Sequence, residues 1–254
     1  MAKIKVGVCE CPSEMSVASA EWNQLCESVS REAPHLFLLN EMPFGPWIAA
    51  GDQFDERAWR GSLAAHDAGM SHLSELGASI VAGTRPRATG NLRVNEAFLG
   101  TEAVHTKQYF PDEEGFYEAR WFQAGERHFR LASAGALRCG FLICTELMFN
   151  EHARRYGREG AHAILVPRAT GGGSLDRWLV ATRMAAIVSG AYVISSNRSG
   201  TDSSGQLFGG SGWIVDPTGD LVARTSAEAP VVFHEIDTDL VAQAQREYPC
   251  YVKE

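Results

Sequence analysis

Apolar residues fall along this chain in two rhythms. Residues 4–8 (Ile-Lys-Val-Gly-Val) alternate, as a strand with one dry face does. Five short apolar runs follow, at 36–39, 79–82, 140–144, 163–166 and 192–195, and runs of that length predict strands covered on both faces. Between them the period lengthens to that of a helix. Residues 54–76 set Trp59, Leu63, Met70 and Leu73 on one face; residues 175–188 set Trp178, Ala181, Ala185 and Val188 on one face with Arg183 opposite. A weaker helix is predicted over 14–31 and a short one over 151–158. Residues 95–99 predict a strand paired with the segment around Val104. Near the end, 212–215, the turn residues Asp216-Pro-Thr-Gly219 and 221–224 predict a hairpin, followed by a strand at 231–234 and a short final helix. Helices mixed with strands throughout, by hairpins and crossovers alike, imply an α/β layered sandwich. No repeat, low-complexity tract or linker divides the pattern, so 1–254 reads as a single domain.

Composition narrows the function more than the fold. Apolar residues make up 45% and charged residues 21% of 254, enough to fill a core without staples. With 31 acidic against 23 basic side chains and no Lys/Arg block, nucleic acid and anionic membrane are poor partners. The start of the chain lacks the continuous apolar stretch of a secretory signal, and nowhere do 18 apolar residues run together, so a cytoplasmic protein is expected. The six cysteines are then reduced thiols. Cys9 and Cys11 share a strand face, but no second Cys/His pair completes a metal site, and buried thiols are expected there. Thr170-Gly-Gly-Gly-Ser174 precedes a helix without the lysine of a phosphate loop, so tight turns explain it.

Three segments place a reactive side chain at or near the end of an apolar run, where α/β sheets assemble sites. In Leu36-Phe-Leu-Leu-Asn-Glu41-Met-Pro, Glu41 leaves a strand at a mouth that desolvates it, which suits a base near neutrality. A solvated strand-end glutamate explains the segment equally well. In Val104-His-Thr-Lys107-Gln-Tyr-Phe-Pro, Lys107 in a cleft would stabilise an oxyanion, although most lysines are surface residues. In Gly140-Phe-Leu-Ile-Cys144-Thr-Glu146, Cys144 closes a strand before a helix start, near amide dipoles that favour a thiolate; a buried structural cysteine is the commoner outcome.

Their order decides between these readings. Glu41, Lys107 and Cys144 follow one another as the Glu-Lys-Cys triad of the nitrilase superfamily of carbon–nitrogen hydrolases does, and the surrounding motifs are similar too. Lys107-Gln-Tyr-Phe-Pro-Asp-Glu-Glu-Gly-Phe-Tyr-Glu118 and on to Gly125 resembles the stretch after the lysine in N-carbamoyl-amine and N-carbamoyl-amino-acid amidohydrolases, and the chain as a whole is most similar to the N-carbamoyl-amine and amidase-type branches. The nucleophile strand to Cys144, then Ala153-Arg-Arg155 and Pro167, and later Ser195-Ser-Asn197-Arg198, Phe208-Gly-Gly-Ser211 and Asp216-Pro217, resemble the rest, from about Ile4 to Phe233. The resemblance implies a four-layer α-β-β-α sandwich and a hydrolase that cleaves a small linear amide or N-carbamoyl (ureido) compound through a cysteine thioester. It makes Cys144 the nucleophile, Glu41 the general base and acid, Lys107 and the Thr145 backbone N–H the oxyanion donors, and Glu118 the residue that orients lysine and leaving amine. Such a donor is commonly worth about 3 kcal/mol of barrier. It also implies no metal or organic cofactor, a small-molecule partner, and a homodimer or higher homo-oligomer.

Departures from the pattern leave the substrate open. Thr145 and Glu146 replace the usual residues after the cysteine, Phe149-Asn150-Glu151 stands for Phe-Pro-Glu, and Arg168 sits where relatives have a small or hydroxyl residue. No arginine follows Cys144 closely, which argues against D-carbamoyl-amino acids. Tyr117 and Arg168 are candidate substrate contacts, Arg168 equally a salt-bridge partner of a nearby glutamate, and residues 42–47, 116–121 and 168–174 are the expected pocket walls. Three other readings stand beside hydrolysis by the triad: a Cys-His hydrolase using His105, an acyltransferase passing the same thioester to an amine, and a non-catalytic ligand-binding member.

Overall fold

Alternation along the strands sets which layer each side chain joins. The structure, a computed structural model, describes residues 3–126 and 129–253. Met1, Ala2, Arg127, His128 and Glu254 of the expected 1–254 domain lie outside the described residues. In chain order the first half holds β1 (Lys3–Pro12), α1 (Ala20–Glu32), β2 (Leu36–Leu38), α2 (Glu56–His72), β3 (Ile80–Thr89), β4 (Leu92–Leu99), β5 (Glu102–Thr106) and the single turn α3 (Glu118–Trp121). The second holds β6 (Ala132–Ala134), β7 (Leu137–Phe141), α4 (Asn150–Arg158), β8 (Ala163–Pro167), α5 (Leu175–Ser189), β9 (Tyr192–Thr201), β10 (Leu207–Gly209), β11 (Trp213–Val215), β12 (Leu221–Arg224), β13 (Val231–Asp237) and α6 (Thr238–Ala244).

Two half-sheets result. One runs β5-β4-β3-β2-β1-β13 and the other β6-β7-β8-β9-β11-β12; they join where Glu10–Pro12 of β1 lies parallel to Asn197–Ser199 of β9. On the first half-sheet Val6, Val8, Leu36, Leu38 and Ala82 face the second, whose Cys139, Phe141, Leu165 and Ile194 share the same core. The intervening residues Cys9, Cys11, Phe37, Leu39 and Val81 face outward against Trp22, Leu25 and Val29 of α1. Each such buried Leu or Phe contributes about 1.5–3 kcal/mol before entropy is counted, so the sheets must be dry on both sides. α4 and α5 cover the far side of the second half-sheet. The four-layer α-β-β-α sandwich is therefore the observed fold.

Local differences from the sequence reading have local causes. The first helix begins at Ala20 and not at Glu14, because the Ser19 hydroxyl caps it by accepting from Trp22 N, while Met15 bridges to Phe44. The strand at 79–82 continues to Thr89, where its polar residues pair across to β4, as Arg85 does with Glu96 at 2.9 Å. β7 stops at Phe141, so Cys144 lies beyond its strand. The hairpin β11/β12 and the strand β13 form as expected. Cys9 and Cys11 are buried with sulfurs 3.1 Å apart.

Candidate active site

The end of β2 is where an apolar strand meets its first carboxylate. Beyond Leu38 the chain turns through Asn40, Glu41 and Met42, and Met42 takes a left-handed φ of +44°, a strained conformation for a residue with a β-carbon. The turn is held from outside. Met42 N donates to the Thr84 hydroxyl at 2.9 Å, and the buried Arg198 guanidinium donates to the carbonyls of Glu41 (3.2 Å), Met42, Ser13 and Gly45. Glu41 N donates to Arg168 O at 3.2 Å. The carboxylate is thereby fixed with no solvent exposure.

Lys107 meets it there. Lys107 N donates to Asn95 O on β4 at 2.9 Å, and Asn95 Nδ2 donates to Glu41 Oε1 at 2.8 Å. Lys107 Nζ donates to the same Oε1 at 2.7 Å and to Glu118 Oε2, at the start of α3, at 2.6 Å. All three ionisable groups are completely buried. Burial works against the Lys107 ammonium, but the charges of Glu118, Glu41 and Cys144 outweigh it and hold the proton on lysine more firmly than usual. Burial pushes Glu118 up to about 8; Lys107 opposes and Glu41 reinforces that rise. One ammonium is thus shared between two buried carboxylates.

Cys144 approaches from the other half-sheet. β7 carries Gly140 past the ring of Tyr156 on α4, so closely that an added β-carbon would sit 2.5 Å from it. Two residues on, Leu142 N donates to Leu165 O, and Cys144 opens a 3₁₀ turn (Cys144–Met148) with φ +47°. Left-handed backbone at a residue with a β-carbon stores strain that the surroundings must hold. Glu146 does so: its carboxylate accepts from Ile143 N at 2.8 Å, from Gln108 N at 2.7 Å and from His105 Nε2 at 2.8 Å. The turn bearing Cys144 and the strand end bearing Lys107 are thus clamped by one side chain. The amide dipoles expected to favour a thiolate do not prevail. Burial raises the Cys144 thiol well above its ordinary value, Glu41 and Glu118 add to this, and Lys107 with a backbone hydrogen bond at Ala169 offsets only part. The surroundings therefore favour the neutral thiol over the thiolate.

Glu118, Cys144 and Thr145 line one cavity of about 70 Å³, together with Phe116, Thr170 and Trp178 among others. Glu41 Oε2 and Glu118 Oε1 are buried and have no partner among the described residues. A larger cavity of about 720 Å³, lined by Glu10, Cys11, Met15, Gln24 and Phe208 among others, contains none of these residues; size alone would choose the wrong place. Of the expected walls, 116–121 and 168–174 contribute, while Met42 and Trp47 pack with Trp121 and Phe208 instead. Neither proposed substrate contact lines the cavity. Tyr117 is half-buried under the Arg120 guanidinium, 4.4 Å from its ring centre, and its N donates to Ala49 O. Arg168 is wholly buried, with no carboxylate against it among the described residues; it donates to Ser195 Oγ, Thr170 Oγ1 and Ser211 O and lies 3.8 Å over the Trp213 ring. The sequence reading missed Asn95, Arg198 and the clamp at Glu146. A buried polar residue inside a strand was the available signal for Asn95; the partners of Glu146 that make it a clamp come from 38 and 41 residues away and left none.

The described residues contain no group of three or more His, Cys, Asp or Glu able to hold a metal ion, and no helix long and apolar enough to cross a membrane. Two half-sheets packed face to face, with a buried carboxylate, ammonium and thiol at their shared end, match the nitrilase-type sandwich. A sequence profile described as carbon–nitrogen hydrolase matches residues 6–246, and the chain belongs to that family. It is an enzyme of the amidase type within the nitrilase superfamily. N-carbamoylputrescine amidase of Solanum lycopersicum is 25% identical over 264 aligned residues, covering 95% of this chain and 88% of that protein. The chloroplastic omega-amidase of Arabidopsis thaliana is 25% identical, covering 98% of this chain and 72% of that protein. The crystal structure of a carbon–nitrogen hydrolase from Helicobacter pylori superposes with a TM-score of 0.86 at 20% identity, over 98% of this chain and 94% of that one.

Proposed function

We propose that the chain hydrolyses a small linear amide or ureido compound through a thioester on Cys144, with Glu41, Lys107 and Glu118 as its buried partners. As Cys144 Sγ bonds to the carbonyl carbon, its proton passes to Glu41 and the carbonyl electron pair becomes an oxyanion, held by Lys107 Nζ and the Thr145 N–H. Preorganised donors in a dry site stabilise that charge far better than water does. Glu41 then protonates the leaving nitrogen, the C–N bond breaks, and water activated by Glu41 releases the acid. Glu118 takes the amide N–H and keeps the ammonium aimed at the carbonyl.

One observation carries this reading: two buried carboxylate oxygens, Glu41 Oε2 and Glu118 Oε1, stand without partners on the two carboxylates that share Lys107, and Glu118 lines the same cavity as Cys144. Buried acceptors left open are costly unless a ligand completes them. An amide or urea brings N–H donors to both; a nitrile brings none, and is the poorer fit. N-carbamoyl and omega-amide substrates named for the relatives fall in the same class. The test is ammonia release from a panel of linear amides, N-carbamoyl amines, N-carbamoyl amino acids and nitriles. Turnover of an amide or ureido member that vanishes in Cys144→Ala is expected. Turnover confined to nitriles, or surviving that substitution, contradicts the proposal.

A further inference from the structure

Arg168 stands apart from the machinery just described. It is a fully buried cation whose guanidinium is met by two hydroxyls, one carbonyl and an indole face, and by no carboxylate among the described residues. An uncompensated buried charge is expensive to keep, so something must depend on it. Burial, with the Arg224 charge adding to it and Cys144 opposing, pulls its pKa down to about 9.

What depends on it is the backbone on either side. Arg168 O accepts from Glu41 N, Ala169 makes the backbone hydrogen bond to Cys144, and Thr170 lines the cavity. Three consecutive residues therefore touch base, nucleophile and substrate space. Thr170 is held on both sides as well: its N donates to Asn197 Oδ1 at 2.9 Å, and its carbonyl accepts from Gly209 N at 2.8 Å. Its hydroxyl oxygen accepts from Arg168 Nη1 at 3.1 Å, and the hydroxyl proton has no acceptor among the described residues. A guanidinium donates and never accepts, so the hydroxyl proton must point away from Arg168.

We propose that Arg168 is a positioning residue that turns the Thr170 hydroxyl into a hydrogen-bond donor for an oxygen of the bound substrate. This rests on Cys144 being the nucleophile, and it makes Thr170 a specificity-determining contact absent from the Glu-Lys-Cys set. The role is one that a lone threonine would fill poorly, because an unrestrained hydroxyl rotates and accepts as readily as it donates.

Acrylamide and methyl methanethiosulfonate test it without knowledge of the substrate. Addition of a thiol to acrylamide bonds sulfur to the terminal carbon and sends the electron pair to the amide oxygen before the α-carbon takes the proton. The thiosulfonate transfers its methylthio group to sulfur as its own S–S bond breaks and methanesulfinate leaves, and it presents no amide oxygen. Rates of adduct formation at Cys144, read by mass spectrometry, are compared for the wild type, Thr170→Val, Thr170→Ser, Arg168→Met and the Arg168→Met/Thr170→Val double variant. Acrylamide addition is expected to slow about tenfold in Thr170→Val and in Arg168→Met, the size of one lost hydrogen bond. The double variant is expected to be no slower than Arg168→Met, Thr170→Ser to stay within about twofold of wild type, and thiosulfonate rates to be unchanged in both Thr170 variants. Wild-type acrylamide rates in Thr170→Val, multiplying losses in the double variant, or equal slowing with both reagents in Thr170→Val would overturn the proposal. Thr170→Val decides the matter even if Arg168→Met does not fold. A wild-type chain that forms no adduct at Cys144 would instead overturn the nucleophile assignment beneath it.

Discussion

Two buried carboxylate clusters flank Cys144, and they differ in one respect. Glu146 is saturated: His105, Gln108 N and Ile143 N all donate to it, and neither of its oxygens is left open. Glu41 and Glu118 share one ammonium and each keeps an open oxygen. Both clusters are fully buried and both join segments far apart in sequence. The saturated one holds the backbone; the open one holds a place for something else. Burial of a charge therefore does not mark the site here. An unfinished hydrogen-bond set beside a cysteine with strained backbone does.

The sharpest way to break this contrast is to exchange the consequences. Glu41→Gln keeps the shape and removes the base, so turnover should fall at least about 10³-fold while the melting temperature holds. Steady-state ammonia assays and thermal melts on the same preparation check both halves. Glu146→Ala should do the reverse. It strips the donors of their acceptor and should lower stability by about 3 kcal/mol, read by urea titration. His105→Ala should follow the same direction more gently, with turnover retained in the folded fraction; abolished turnover in a fully folded His105→Ala would favour a Cys-His mechanism. Glu118→Gln belongs with Glu41: about 10²-fold lower kcat, with stability unchanged or raised, as active-site strain is relieved.

A gentler test is pH. Glu118 ionises near the ordinary glutamate value when unfolded and at about 8 when folded. The folded chain therefore binds the extra proton between those values. The stability Glu118 contributes is full below the unfolded value and is lost as pH rises through about 8. Glu118→Gln should flatten the melting-temperature profile there; an unchanged slope would remove Glu118 as its source. The smallest effect belongs to Tyr117→Phe, which should alter kcat/KM by less than about twofold, since the ring lies under Arg120 and away from the cavity.

The layers were legible because alternation and unbroken apolar runs are direct records of which faces are dry. β1, β2, β8 and β9 each begin within a residue of the expected runs, and so does α5. Boundaries slipped where partners compensate polarity, as at Arg85 and Glu96 across β3 and β4, which no local pattern shows. Glu41, Lys107, Cys144 and Glu118 were named through family resemblance, and the fold brings the first, second and fourth into direct contact. Thr170 lay unremarked inside a glycine-rich run, and Arg168 was placed against substrate or a glutamate. Its actual partners, Ser195, Ser211 and Trp213, come from β9 and from the segment leading into and along β11. Contacts of that kind depend on which strands become neighbours, and no single segment encodes them.

The central claim is that Cys144 carries substrate covalently within the open cluster. Intact-mass spectrometry of acid-quenched turnover, followed by peptide mapping, measures this directly. An acyl or carbamoyl adduct on Cys144 that forms in the wild type and is lost in Cys144→Ala is the predicted result. Substrate consumed at full rate with no adduct at Cys144 at any quench time, or with the adduct on another residue, would contradict it.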